Sequence, residues 1–137
     1  MAIDRYGDTG RIKILLDANA LMMPVQFGID IYAELTSLFG IYECLVPEGV
    51  MNELQGIAEG GGRDAAAARV GMELAKRSTI ISTGLHPGSV DDRLVAYAEA
   101  GGCIVVTNDR HLRNTLLERG IGVVSMRKQQ KLELIRG

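Results

Sequence analysis

Short apolar runs alternate with amphipathic segments along this chain. The apolar runs predict buried strands at residues 12–16, 41–46, 79–83, 103–106, 121–126 and 132–135. Between them, apolar positions at helical spacing predict helices, over residues 31–39, 47–57, 65–76, 90–100 and 108–119. Because buried strands and helices alternate, the pattern predicts an α/β fold with a mainly parallel sheet.

Glycine, proline and serine mark the ends of these elements. Pro47 fits the first turn of a helix, and glycines at residues 60–62 separate that helix from the next one. Residues 84–88 predict a loop, after which Ser89 is a good N-cap. The polar, glycine-containing residues 1–11 predict a flexible tail, followed by a single domain over residues 12–137.

The composition narrows the class of protein. With 137 residues, 47% of them hydrophobic, the chain can bury the core of one domain without disulfides. Cys44 and Cys103 lie in apolar runs without metal-ligand spacing, so we expect two buried free thiols. No apolar run approaches the roughly 18 residues of a membrane span, and residues 1–8 lack the apolar core of a signal peptide. We therefore expect a cytoplasmic protein that does not enter membranes.

Two aspartates follow predicted strands. Asp17 directly ends the first strand, and Asp109 comes shortly after the fourth. Functional groups collect beyond the carboxyl ends of parallel strands, so we expect both at one edge of the sheet. A carboxylate ending a buried strand needs a partner or a metal, although a turn or N-cap role is the alternative for Asp17. Asn19, Thr107 and Asn108 are candidate hydrogen-bonding supports, and Thr107 or Asn108 can cap the helix that follows.

Further acidic residues lie on predicted helices. Glu53 falls between two apolar positions near the buried face of its helix, with a solvated surface glutamate as the alternative. Asp91 and Asp92 point about 100° apart, as adjacent helix residues do. With Ser89 as N-cap, Asp92 can complete a capping box, which leaves Asp91 as the freer site candidate. A purely structural role of the pair at the helix N-terminus is the alternative.

Carboxylates gathered at one place repel one another unless a cation or protons neutralise them. The acids of this chain therefore predict a site for Mg²⁺ or Mn²⁺, which prefer oxygen ligands. Zinc and iron are disfavoured because the chain has no cluster of histidines or cysteines. The candidate metal ligands are Asp17, Glu53, Asp91, Asp92 and Asp109.

A net charge of −2 argues against a uniformly basic nucleic-acid-binding surface. Basic residues are nevertheless concentrated after the last acid, at Arg110, His111, Arg113, Arg119, Arg127, Lys128 and Lys131. They form either a rim that attracts a phosphate backbone or an ordinary solvated face.

These segments, taken in order, resemble the PIN-domain family of metal-dependent ribonucleases. The resemblance spans about residues 12–135 and rests on a strand ending in Asp17-x-Asn19, a helical Pro47-x-x-Val50-x-x-Glu53-Leu54, the Asp91-Asp92 pair before a helix, and a strand running into Thr107-Asn108-Asp109. Residues 104–109 and 127–135 further resemble archaeal relatives of the ribosomal-RNA-processing branch. The VapC-toxin-like branch shares the same acidic site.

The resemblance implies a three-layer α/β/α sandwich and a Mg²⁺- or Mn²⁺-dependent ribonuclease that is expected to cut endonucleolytically. It assigns catalytic roles to Asp17, Glu53, Asp91 and Asp109. Several members have another acid after the last aspartate, where this chain has Arg110 and His111, so one or two ions remain open. The implied partners are an RNA substrate, an antitoxin or a ribosome-assembly partner, and a second copy of the chain in a homodimer.

Two other classes of protein share parts of this pattern. A receiver-like phospho-acceptor module also clusters acids at a sheet edge, but its adjacent acid pair comes early and a lysine comes late. Here the pair is late and Lys13 precedes the acids. A non-catalytic RNA-binding or assembly protein could keep the same fold without the chemistry, so fold alone does not separate it from an enzyme.

Overall fold

The computed structural model describes residues 10–83 and 87–136. Most of the predicted tail, and residues 84–86 of the predicted loop, lie outside the described residues. The described strands are β1 (Ile12–Leu16), β2 (Tyr42–Pro47), β3 (Thr79–Ile81), β4 (Ile104–Val106), β5 (Val123–Arg127) and β6 (Lys131–Ile135). The described helices are α1 (Ala18–Phe27), α2 (Ile31–Phe39), α3 (Glu48–Ala58), α4 (Gly62–Ala75), α5 (Val90–Gly101) and α6 (Arg110–Glu118).

The six described strands form one sheet in the order β3-β2-β1-β4-β5-β6. β1 pairs in parallel with β2 on one side and with β4 on the other, which places Ile14 between Cys44 and Ile104. Of these strands, β6 alone runs antiparallel, as the partner of β5. The chain builds outward from β1 to β3 and then returns to β4, so the strand order reverses between β1 and β4. Ligands of open α/β sheets bind beyond the carboxyl ends of the strands at such a reversal.

Helices cover both faces of the sheet. Successive strand residues point to opposite faces, and Ile14, Leu15 and Leu16 of β1 are all fully buried. α4 packs against α1 and α3, α5 contacts α6, and α2 contacts both α1 and β6. The predicted three-layer α/β/α sandwich is confirmed. Cys44 and Cys103 are buried free thiols, as expected.

α1 has no counterpart among the helices predicted from sequence. Its first turns are buried at Ala18, Ala20, Leu21, Met22 and Met23, so no alternation of polar and apolar positions marks it as a helix. Pro24 lies inside the helix, where a proline usually indicates a break because it lacks an N–H. The helix continues because tertiary packing against α4 outweighs that local preference. It ends at Gly28, whose φ of 68° is left-handed and suits glycine.

The remaining boundaries differ from the predictions by a few residues. Pro47 is predicted to lie in the first turn of a helix. In the structure it ends β2 and occupies the N-cap position of α3, one residue before the helix begins. β3 stops at Ile81 rather than at residue 83, and α6 begins at Arg110 rather than at residue 108. Within the described residues, no helix combines the length and apolar character needed to cross a bilayer.

Candidate active site

Asp17 lies at the junction of β1 and α1. Its backbone N–H donates to the carbonyl oxygen of Val106 at 3.4 Å, so the junction stays beside the end of β4. Its carboxylate Oδ1 accepts the N–H of Ala20 at 2.7 Å and caps α1. The N-cap alternative is therefore real, and it coexists with a position in the cleft described below. One carboxylate has two oxygens, so a cap bond at Oδ1 leaves acceptor capacity for a ligand.

The Asp17 side chain is only 7% exposed. Burial raises its pKa from an ordinary 3.8 to about 7, against the lowering effects of hydrogen bonds from the Thr107 side chain and the Ala20 N–H. The negative charges of Asp91 and Glu53 raise the pKa further. Among residues 10–83 and 87–136, no cation lowers the pKa of this buried acid.

Asp109 caps α6 in the same manner. Its Oδ1 accepts the N–H of Leu112 at 2.9 Å, and its own N–H donates to the Thr107 hydroxyl oxygen at 3.1 Å. The expectation that Thr107 or Asn108 would cap this helix is wrong, because the chain turns into the helix later and Asp109 takes the cap position. Asn108 instead accepts the N–H of Met126 at 3.0 Å, which ties the turn to β5.

Thr107 connects the two aspartates. Its side chain is fully buried, its hydroxyl oxygen accepts from the Asp109 N–H, and its hydroxyl hydrogen-bonds to the Asp17 carboxylate. Because a hydroxyl has one proton and two lone pairs, it can accept from one residue while donating to the other. Ser125 fixes the Thr107 backbone by donating to its carbonyl oxygen at 2.6 Å. The Thr107 hydroxyl therefore links the Asp17 carboxylate to the backbone of Asp109.

Glu53 reaches the site from α3. Val50 and Leu54 on the same helix are buried against the core, and the intervening Glu53 side chain is exposed and lines the cleft. Partial burial and the charge of Asp91 raise the pKa of Glu53. A solvated surface glutamate would be exposed in the same way, but it would not interact with the charges of Asp91 and Asp17 as Glu53 does.

The structure separates Asp91 from Asp92. Asp92 forms the predicted capping box: its N–H donates to Ser89 Oγ at 3.1 Å, and its Oδ2 accepts the Ser89 N–H at 3.0 Å. Asp91 lines the cleft, whereas Asp92 does not. Partial burial and the carboxylates of Asp109 and Asp92 raise the pKa of Asp91, whereas His111 lowers it.

One open cleft of about 330 Å³ contains the four separated acids. It lies beyond the carboxyl ends of β1 and β4, at the reversal of strand order. Its lining consists of Asp17, Ala18, Asn19, Val50, Glu53, Ser89, Val90, Asp91 and Asp109. Carboxylates from four separate parts of the sequence therefore meet in one place, and the predicted support Asn19 lies beside them.

Sequence reasoning missed the residue that brings α3 and α5 together. A Cβ on Gly49 would lie 3.2 Å from a Val90 side-chain carbon, so the first turn of α3 approaches the first turn of α5 closely. This approach places Glu53 and Asp91 on the same cleft. A glycine in the first turn of a helix was the available signal, but the spacing of apolar residues does not show what it faces.

The donor set of the cleft has the chemistry of a hard cation site. Its charged ligands are all carboxylates, which is the ligand type of Mg²⁺ and Mn²⁺. Burial, and to a lesser extent repulsion between neighbouring acids, raises the pKa values of Asp17, Glu53 and Asp91, and a bound divalent cation would stabilise their ionised forms. Among the described residues, no three His, Cys, Asp or Glu side chains are grouped tightly enough to hold a metal ion as they stand. The cleft therefore suits a divalent cation in the type of its ligands and in their shared location.

The predicted basic residues divide between paired and projecting positions. Arg119 lies 3.5 Å from Glu99 on α5, and Arg127 lies 3.9 Å from Glu133 on β6. Arg110 and His111 are exposed in the first turn of α6, next to Asp109. Lys128 is exposed in the turn between β5 and β6, and Lys131 is exposed at the start of β6.

Comparison with known proteins agrees with this architecture. The family model described as "PIN like domain" matches residues 14–129. Ribonuclease VapC9 of Archaeoglobus fulgidus is 28% identical over 134 residues, covering 96% of each chain. The structure of the PIN domain endonuclease Utp24 superposes with a TM-score of 0.74 at 24% identity, covering 91% of this chain and 92% of that one. VapBC2 from Rickettsia felis, bound to a DNA fragment from its promoter, gives 0.63 at 17% identity, covering 85% and 100%. Since the family model matches most of its length, the chain belongs to the PIN-like domain family.

Proposed function

We propose that this protein is a Mg²⁺- or Mn²⁺-dependent ribonuclease that hydrolyses RNA phosphodiester bonds endonucleolytically. The observation that carries the proposal is the meeting of Asp17, Glu53, Asp91 and Asp109 in one cleft. Four acids serving only as caps or surface charges would have no reason to converge, and burial together with the charges of neighbouring acids raises the pKa of Asp17 and of Asp91. Similarity to Ribonuclease VapC9 over nearly the whole chain supports RNA as the substrate.

Each acid has a role that follows from its position. Asp17 and Asp109 are fixed at their Oδ1 atoms by helix N–H groups and joined by Thr107, so they would be the positioned ligands of the ion. Asp91 and Glu53 are exposed to the cleft and would complete the ligand set or orient water at their carboxylate oxygens. When bound, such an ion supplies charge stabilisation at the phosphate and a water of lowered pKa.

Asp92 is a weaker candidate for a metal ligand than Asp91. Both hydrogen bonds of its capping box serve the N-terminus of α5, and its side chain does not line the cleft. We therefore propose Asp91 as the ligand of this pair and Asp92 as the residue that holds the helix on which Asp91 lies.

A cleavage assay with matched variants tests the proposal. The substrate is a labelled single-stranded RNA with added Mn²⁺ or Mg²⁺, and the proteins are wild type, Asp17→Asn, Asp109→Asn and Asp30→Asn. Asp30 also caps a helix, α2, by accepting the Ala33 N–H at 3.1 Å, but it lies outside the cleft. Asparagine caps helices about as well as aspartate, so all three variants should fold.

We expect metal-dependent cleavage in wild type and in Asp30→Asn, and a loss of at least about 100-fold in the other two, equivalent to about 2.7 kcal/mol of barrier. Internal fragments, rather than mononucleotides, would mark endonucleolytic cutting. Cleavage that persists in EDTA, or equal turnover in all four proteins, would contradict the assigned roles.

The biological setting is a separate proposal. Similarity to VapC9 supports the VapC-like branch, and therefore an antitoxin as the partner. Co-purification with the product of the neighbouring gene, and inhibition of cleavage by that product, would test it. The ribosome-assembly partner, the homodimer and the cytoplasmic location stay predictions.

A further inference from the structure

The turn between β5 and β6 has an unusual backbone for its sequence. The N–H of Gln130 donates to the carbonyl oxygen of Arg127 at 3.2 Å and closes a four-residue turn. The two central residues, Lys128 and Gln129, have φ values of 55° and 56°. Both central residues need positive φ in a type I′ turn, a conformation usually provided by Asn-Gly. Among the described residues, these are the only non-glycine positions with positive φ.

This turn lies at the end of the sheet that carries the acidic cleft. β5 is parallel to β4 with Val124 opposite Val106, and it continues three residues further, to Arg127. At about 3.3 Å per residue, the turn projects about 10 Å past the end of β4. The hydrogen bond from the Met126 N–H to Asn108 Oδ1 fixes this projection beside the residue that precedes Asp109. The hairpin therefore projects from the same end of the sheet as the cleft and is tied to the turn that leads to Asp109.

The β5–β6 hairpin is positively charged, whereas the cleft is negatively charged. Arg127, Lys128 and Lys131 are all exposed at its tip. Glu133, 3.9 Å from Arg127, is the acid paired with this cluster, and among the described residues Lys128 and Lys131 form no salt bridge. A nucleic-acid backbone approaching four carboxylates is repelled by them, so a nearby cluster of cations would offset that repulsion.

We propose that Arg127, Lys128 and Lys131 form a hairpin rim that binds the phosphate backbone of the RNA strand entering the cleft. The inference rests on the proposed ribonuclease function and adds the surface that holds the substrate. The lysine at the first central position, where a type I′ turn favours asparagine, is then explained, because Lys128 provides a phosphate contact that asparagine would not. The rim contacts phosphates and so positions RNA without selecting its sequence.

Binding can be measured separately from cleavage. Fluorescence anisotropy of a labelled single-stranded RNA in EDTA, over a range of NaCl concentrations, gives the affinity and its salt dependence. The rim variant is Arg127→Gln, Lys128→Gln and Lys131→Gln combined. The matched control removes three exposed cations near the amino ends of the parallel strands: Arg11→Gln, Lys76→Gln and Arg136→Gln.

We expect the rim variant to bind at least about tenfold more weakly at low salt. The slope of log affinity against log salt concentration should become less steep by about two, since each phosphate contact on a single strand contributes about 0.7. The control should keep the wild-type slope. Equal losses in the two triple variants would indicate a general effect of net charge and overturn the rim, as would an unchanged slope in the rim variant. RNA binding that depends on the rim without any cleavage would instead reject the ribonuclease function and leave the rim intact.

A second variant separates binding from folding. Lys128→Asn with Gln129→Gly installs the residues that a type I′ turn prefers, so the melting temperature should rise or stay unchanged. RNA affinity should nevertheless fall, with a slope lower by about 0.7. A more stable protein with wild-type affinity would show that these residues serve only the turn, and would overturn the assignment of Lys128.

Discussion

Replacing Asp17 with asparagine should stabilise the metal-free protein at neutral and alkaline pH. The folded protein holds the Asp17 proton up to a pKa of about 7, whereas the unfolded chain releases it near 3.8. Between these values folding takes up a proton, so stability falls as pH rises through the window and stays lowered above it. At about 1.4 kcal/mol per pH unit, the full difference is about 4 kcal/mol.

The variant keeps the structural role of the side chain and removes the charge. Its amide oxygen can accept the Ala20 N–H that Oδ1 of Asp17 now accepts, and asparagine is an equally good N-cap. Loss of the favourable interaction between the carboxylate and the helix dipole offsets about 0.3–1 kcal/mol of the gain in the free energy of unfolding. We therefore expect a net gain of about 3 kcal/mol at pH 8, or about 10 °C in melting temperature, and little difference near pH 4.

Urea and thermal unfolding at pH 4, 6 and 8 in EDTA would measure this dependence, with Asp30→Asn as the control for exchanging an exposed N-cap. A variant that is less stable than wild type at pH 8, or a stability difference independent of pH, would refute the reasoning. Added Mn²⁺ should reverse the order at about 1,000 times Kd, because binding then stabilises the wild type by about 4.1 kcal/mol, more than the advantage of the variant, which loses a ligand. Equal stabilisation of both proteins by Mn²⁺ would exclude Asp17 from the metal site.

Three further pairs of substitutions separate structural from chemical roles. Asp91→Asn should lower turnover by at least tenfold without changing the melting temperature. Asp92→Ala should instead lower the free energy of unfolding by about 1 kcal/mol, because the capping box is lost. The opposite pattern in parallel assays of turnover and unfolding would reverse the assignment. Gly71→Ala should destabilise by about 1–3 kcal/mol in urea unfolding, because its Cβ would lie 2.7 Å from a carbonyl oxygen of α1, whereas Gly56→Ala, with open space around it, should stabilise by about 0.5–1 kcal/mol. Thr107→Val should reduce turnover, with recovery in Thr107→Ser; a serine variant as inactive as the valine variant would show that the hydroxyl does not position the site.

The sequence was sufficient for the elements that follow simple local rules. Ser89 and Asp92 are three residues apart before an apolar helix face, and the capping box they predict is present. Strands buried on both faces read as continuous apolar runs, so β1 and β4 were predicted close to their observed bounds. The arrangement of Asp17 and Asp109 follows from parallel pairing, which the alternation of strands and helices already indicated.

Features that depend on distant contacts were not predictable from local pattern. α1 was missed because its apolar surface and Pro24 are explained only by packing on α4. The close approach of Gly49 to Val90 joins helices that are about 40 residues apart in the chain. Similarly, nothing local distinguishes Asp109 from Asn108 as an N-cap, and the choice depends on the hydrogen bond that the Met126 N–H donates to Asn108 Oδ1.

The contact between α2 and β6 affects how this protein can associate with itself. The Leu132 N–H of β6 donates to Glu34 Oε1 of α2 at 2.9 Å, so a donor at this outer edge is already occupied. The opposite edge is β3, a strand of only three residues in which Ile80 is 44% exposed. Open strand edges are the templates on which chains add to one another and aggregate. The short length of β3 already limits strand addition at this edge, and we expect Ile80→Lys to limit it further.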